Sequence, residues 1–180
     1  MFSPIKKLLA ATLILLLTFG GLNYSRQAFA QDRADLLDDN EAFIIDLTNQ
    51  ARNELGIKDL TYNLKLQQAA EAKARDMIDN DYFDHVSPTG TSPWYFIHNA
   101  NYSYQSAGEN LAIDFTDQKN AVKAWLKSPS HRANIIDSGY TEIGLAIVEG
   151  DVKGFKTTVV VQMFGEPLKS KLFAKHFTND

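Results

Sequence analysis

The chain has 180 residues, with 18 Lys+Arg, 22 Asp+Glu and no Cys. That length holds one domain, or two at most, and 44% hydrophobic with 22% charged residues is a globular balance rather than a disordered one. The missing Cys excludes disulfide scaffolds, thiol catalysis and Cys-ligated zinc, and the net charge of −4 argues against nucleic acid, whose binders carry a basic surface.

Lys6 and Lys7 precede an apolar stretch over residues 8–19, and Ala28-Phe29-Ala30 offers small residues at both key positions of a cleavage site. A basic start, a short apolar middle and a small-residue end predict a secretory signal peptide over residues 1–30, cut after Ala30. The apolar run is short of the roughly 20 residues that a membrane span needs. No transmembrane span is therefore expected after cleavage, and the protein is expected outside the cytoplasm. Residues 1–30 hold Lys6, Lys7 and Arg26 and no acid, so residues 31–180 keep 15 basic and 22 acidic groups, a net −7.

Residues 31–38 are polar and read as a short linker. Asp39 or Asn40 can cap a helix on which Phe43, Leu47, Ala51 and Leu55 recur every four residues, with Ile44 beside them and Gly56 as the stop. Asn63 can cap a second helix reaching about Asn80, with Leu66, Ala70, Ala74 and Met77/Ile78 as its buried stripe. Turn formers fill residues 81–93, and Pro93 can open a short helix through Ile97. A strand is expected over 106–113 and a helix over 117–127 with Val122, Trp125 and Leu126 inward. Ser128-Pro129 then reads as an N-cap followed by Pro in the first helical position. Ile143, Leu145 and Ile147 alternate as in a strand. A polar turn is expected over 150–154. Thr157, Val159, Val161 and Met163 form one face of a last strand whose other face, Val160, Gln162 and Phe164, is also largely apolar. That predicts a central strand covered on both sides. Helices early and strands late imply an α+β domain over 39–166, leaving 167–180 as a tail.

Chemistry concentrates in three places. Asp84-His85-Val86-Ser87-Pro88 sits in the loop after the second helix, and His131 sits where a new helix begins. Between them Glu109 is an acid inside an otherwise small, apolar strand, where burial without a partner is costly. Two imidazoles and one carboxylate are an accepted zinc set. The alternative is that Glu109 accepts ordinary hydrogen bonds and the histidines cap loops. Helical HExxH, phosphate-loop, Rossmann and G-x-S-x-G patterns are all missing from the sequence.

The chain resembles the CAP superfamily of cysteine-rich secretory proteins, venom antigens and pathogenesis-related proteins, and is most similar to its bacterial secreted branch. The residues that carry the resemblance are Asn49-Gln50-Ala51-Arg52, Phe83-Asp84-His85-Val86-Ser87-Pro88, Ser92-Pro93-Trp94, Gly108-Glu109-Asn110-Leu111-Ala112, Ala124 through Ile135, Ile143-Gly144-Leu145-Ala146 and Val161 through Gly165. The resemblance implies a three-layer α-β-α sandwich with a central antiparallel sheet. It also implies a cleft lined by His85, Glu109 and His131, able to hold zinc or another divalent cation. Two departures stand out. Ser128 lies three residues after Trp125, where relatives carry a second glutamate, and Tyr95 follows Trp94 where many bacterial relatives carry an acid.

Two functions compete. One is a secreted, monomeric binding module whose cleft takes a divalent metal, a lipid or a cell-envelope fragment. The other is a peptidase-like hydrolase in which Glu109 is the general base and a water held by His85 and His131, with or without zinc, is the nucleophile. Trp94, Tyr95, Tyr102 and Tyr104 are either core aromatics or the lining of a sugar or lipid groove.

Overall fold

The computed structural model describes residues 37–115 and 117–168. The signal segment, its cleavage point, most of the linker 31–38 and the tail beyond Leu168 lie outside the described residues. The chain divides into two units, residues 1–39 and 40–180. The first is described only at residues 37–39, and the second holds the sheet and its helices.

In chain order the elements are α1 (Asp39–Asn53), β1 (Thr61–Tyr62), α2 (Leu64–Asp79), α3 (Pro93–Asn99), β2 (Tyr104–Ile113), α4 (Gln118–Lys127), α5 (Pro129–Ile136), β3 (Glu142–Val152) and β4 (Phe155–Pro167). The sheet order is β1-β3-β4-β2. The three long strands are antiparallel, and the two-residue β1 joins β3 in parallel. β4 lies in the middle, and Val159, Val161 and Met163 on one face and Val160, Gln162 and Phe164 on the other are all 2% exposed or less. Burial on both faces is why its sequence lacks the usual polar alternation.

Helices cover both faces, giving the α-β-α sandwich. On one side Leu66, Ala70, Ala74 and Met77 of α2, with Phe96 and Ile97 of α3, pack on Leu111, Ala146, Val161 and Met163. On the other side α1 is tied to β4 by Gln162 Nε2 donating to Thr48 Oγ1 at 2.9 Å, and α4 to β2 by Trp125 Nε1 donating to the Leu111 carbonyl at 2.8 Å. The α2 layer lies close because of Gly144: a Cβ there would run into the Leu66–Gln67 backbone.

Two expectations are corrected. The inward face of α1 is Glu41, Ile44, Ile45, Thr48 and Arg52, whereas Phe43 is 39% and Leu55 52% exposed. Polar residues replace the apolar stripe because each finds partners inside. Arg52 donates to the carbonyls of Lys58, Ile135, Asp137 and Tyr140 at 2.8–3.1 Å. The turn expected over 150–154 shrinks to Lys153-Gly154, both at positive φ, because Gly150, Asp151 and Val152 still pair across to β4. Positive φ at both central residues is what a two-residue hairpin turn requires.

Candidate functional site

β2 is one of the two edge strands of the sheet, and the candidate site wraps around that edge. His85 reaches it from the loop between α2 and α3. That loop is fixed from below: Lys73 of α2 donates through Nζ to the Asp84 carbonyl at 2.8 Å and to Tyr82 Oη at 2.9 Å, and Tyr82 donates to Asp76 Oδ2. Beyond His85, Ser87 Oγ accepts from Thr91 N at 2.9 Å and meets Thr89 Oγ1 at 2.9 Å. Ser87 is thus a turn residue and not a free nucleophile. Ser128 occupies the N-cap of α5, but its hydroxyl meets Ser130 Oγ at 3.3 Å instead of capping the helix.

Glu109 projects from β2 on the α2 side and meets His85 directly, with Nδ1 to Oε1 at 2.6 Å. The partners differ sharply in exposure: the His85 side chain is 51% exposed and that of Glu109 is 2%. The hydrogen bond to the carboxylate raises the imidazole pKa, against a smaller opposing effect of burial. Burial raises the carboxyl pKa, against the pull of His85 and Lys73.

His131 enters from the other layer. Asn110, fully buried, donates to the His131 carbonyl at 3.2 Å and to Gln162 Oε1 at 3.1 Å. Asn134 of α5 donates to the Glu109 carbonyl and to Asn110 Oδ1, both at 2.9 Å. With Gln162 donating to Thr48 and Thr48 to the Ile44 carbonyl, these side chains form one ladder from α5 across one face of the sheet to α1. His131 stands one turn before Asn134. Its pKa is lowered by burial and by the charge of His85.

An open cleft of about 430 Å³ is lined by His85, Val86, Ser92, Pro93 and Trp94 from the α2–α3 side, Ala107, Gly108 and Glu109 from the edge strand, and Asn134 from α5. Gly108 is required there, since a Cβ would stand 2.7 Å from the Tyr140 hydroxyl and 3.0 Å from Asn134 Oδ1. Of the expected trio, the structure joins His85 and Glu109 in direct contact, and His131 comes near without joining the pair. Among the described residues no group of three His, Asp or Glu is placed to hold a metal ion. His85 and Glu109 face each other and His131 stands apart, so the metal set that the resemblance implies is not assembled among the described residues. The four aromatics divide. Trp94 and Tyr95 are 40% and 55% exposed, Tyr102 is buried with its hydroxyl on Glu142 at 2.7 Å, and Tyr104 lies between Trp94 and Tyr102.

Lys73, Asn134 and Gln162 were not legible as parts of the site. Lys73 alone left a trace, as a charge inside the apolar stripe of α2.

Residues 45–164 match the sequence profile of the cysteine-rich secretory protein (CAP) family. The uncharacterised protein YkwD of Bacillus subtilis is 41% identical over 109 residues, 61% of this chain and 42% of YkwD. The uncharacterised membrane protein YlbC of the same organism is 34% identical over 108 residues, 60% of this chain and 31% of YlbC. The chain thus spans less than half the length of either relative. Among solved structures, an extracellular Bacillus anthracis protein containing an SCP domain superposes with a TM-score of 0.60 at 30% identity, over 70% of this chain and 40% of that one. An outer surface protein of Borrelia burgdorferi shares the fold, with a TM-score of 0.63 at 24% identity, over 73% of this chain and 97% of that one. No described helix is long and apolar enough to cross a membrane.

Proposed function

Because the chain belongs to the cysteine-rich secretory protein (CAP) family, we propose that it is an exported binding module, processed after Ala30, whose edge-strand cleft captures a saccharide fragment of the cell envelope. One observation carries this reading: the exposed indole of Trp94 and the His85–Glu109 pair line the same open cleft. A sugar ring has an apolar face that covers an indole and hydroxyls that need hydrogen-bond partners. The cleft offers both kinds of surface side by side. An acyl chain calls for an enclosed apolar tunnel, and this cleft is open and carries the polar His85–Glu109 pair on its wall. The extracellular and outer-surface descriptions of two structural relatives agree with an extracytoplasmic role.

The test is titration of the protein with soluble peptidoglycan fragments, read by tryptophan fluorescence. Trp125 is buried, so a contact-dependent change reports on Trp94. Saturable quenching that vanishes in Trp94→Phe and weakens at least tenfold in His85→Ala is expected. No saturable response, or a response to phospholipid vesicles alone, overturns the reading.

A second reading is favoured by the 2.6 Å contact itself. A buried carboxylate orienting an exposed imidazole is a base-and-orienter pair. In a hydrolase His85 would then be the base and Glu109 its orienter, the reverse of the roles assigned from the sequence. Glu109→Gln should in that case abolish turnover at unchanged fold, and equal turnover in the variant rejects it.

A further inference from the structure

The pair at the cleft leaves one oxygen unaccounted for. Glu109 Oε1 takes the His85 contact, but Oε2 is buried and has no hydrogen-bond partner. A buried acceptor without a donor is rare in folded proteins and calls for a physical account.

Directly related is an excess on α2. Lys73 is fully buried, within the stripe that packs against the sheet. Its ammonium carries three protons. Two go to Tyr82 Oη and the Asp84 carbonyl, and the nitrogen lies 4.7 Å from the Tyr82 ring centroid and 5.7 Å from that of Phe96. No third acceptor lies within hydrogen-bond distance of Nζ among the described residues. Two neutral oxygens would hold the loop equally well with a neutral donor, so holding the loop does not explain a buried charge. A buried cation needs an anion nearby. Asp76, bonded to the Tyr82 hydroxyl, and Asp84 supply part of that charge, and Glu109 acts on the ammonium more strongly than either. Lys73 and Glu109 also meet the same loop at consecutive residues, the Asp84 carbonyl and the His85 ring, with Glu109 on the α2 side of the sheet opposite Met163. A spare donor and a spare acceptor thus occupy one buried region between α2 and β2, without touching directly.

We propose that Lys73 is the second anchor of Glu109: its third proton reaches Oε2 through one bridging water, and the carboxylate, held at both oxygens, fixes the His85 ring toward the cleft. Buried water characteristically serves polar groups that cannot reach one another. Lys73 is then a positioning residue acting through Glu109 on His85. Its importance for ligands rests on the proposed binding role of the cleft, but the anchoring concerns the pair alone.

The test needs no ligand, so failure of saccharide binding leaves it standing. The full chain is labelled with ¹⁵N-histidine, and the proton shared by His85 Nδ1 and Glu109 is followed by NMR. In the unaltered protein it should resonate far downfield, and its loss in Glu109→Gln assigns it. In Lys73→Met the carboxylate loses one anchor and turns, so the resonance should move upfield or broaden away. Tyr82→Phe keeps the ammonium while loosening the loop, and should leave the resonance in place. A resonance unchanged in Lys73→Met overturns the proposal, as does equal loss in both variants. Should Lys73→Met not fold, high-resolution diffraction of the unaltered protein decides. A water bonded to both Nζ and Oε2 supports the anchor, and Oε2 turned to any other donor rejects it.

Discussion

His85 and Glu109 differ in what each gains from the other. The imidazole pKa is raised by its bond to the carboxylate, so the folded state holds that proton more tightly than the unfolded chain does. The resulting stability is fully present below the ordinary histidine pKa and is lost as pH rises through the raised value. In thermal melts from mildly acidic to mildly alkaline pH the His85 contribution to Tm should therefore fall across that window, against an opposite contribution from His131, whose pKa is lowered. In Glu109→Gln the fall should be smaller, and an identical slope would remove the pair as its source. Arg52 is a case of the opposite kind, since it stabilises the fold and performs no chemistry. Its guanidinium serves four carbonyls, two of them at the end of α5, Ile135 and Asp137. Each carbonyl left unpaired in the interior costs about 1–3 kcal/mol. Arg52→Ala should destabilise by at least about 3 kcal/mol in urea unfolding, because several such groups lose their donor together.

Most helices and strands were legible because their patterns are local. Asn63 caps α2 as expected, accepting from Lys65 N and Leu66 N. Asp117 caps α4, and its residues Val122 and Trp125 face inward. The inward face of α1 was misread, because periodicity counts apolar side chains and cannot see that Glu41, Thr48 and Arg52 meet partners distant in sequence. β1 escaped notice because two residues carry no period. Close approach between layers is equally invisible until the elements are placed. Gly144 looks like any small strand residue, yet it admits the α2 backbone. Gly144→Ala should cost about 3 kcal/mol, the upper end for overpacking, since rigid backbone and not a flexible side chain must yield. Chemical denaturation measures it, and a loss below about 1 kcal/mol would show that the helix can slide.

At the scale of the whole fold, the resemblance conveyed the sandwich, while of the trio it implies His85 and Glu109 line the cleft and His131 does not. His131 stays outside the His85–Glu109 contact because α5 is placed by Asn110 and Asn134 on the opposite face of β2 from the His85 loop. The cleft is therefore an edge feature built from both helical layers, and it should exist only while both are docked. Urea unfolding followed by Trp125 fluorescence and by the His85 ring resonance should give coincident midpoints. An earlier midpoint for His85 would mean that its loop opens on its own. The amide ladder across that face of the sheet carries a different consequence. Each amide gives with its nitrogen, and Thr48 takes and gives through its hydroxyl: Asn134 to Asn110, Asn110 to Gln162, Gln162 to Thr48, and Thr48 to the Ile44 carbonyl. The line has a polarity, like a sentence readable in one direction. An isosteric acid at Asn110 or Gln162 removes a donor in the middle, and its neighbours cannot turn to compensate without breaking their own bonds. Substitutions along this line should thus persist as matched sets and fail singly, so that two lineages of the fold would differ here by several coordinated changes or by none.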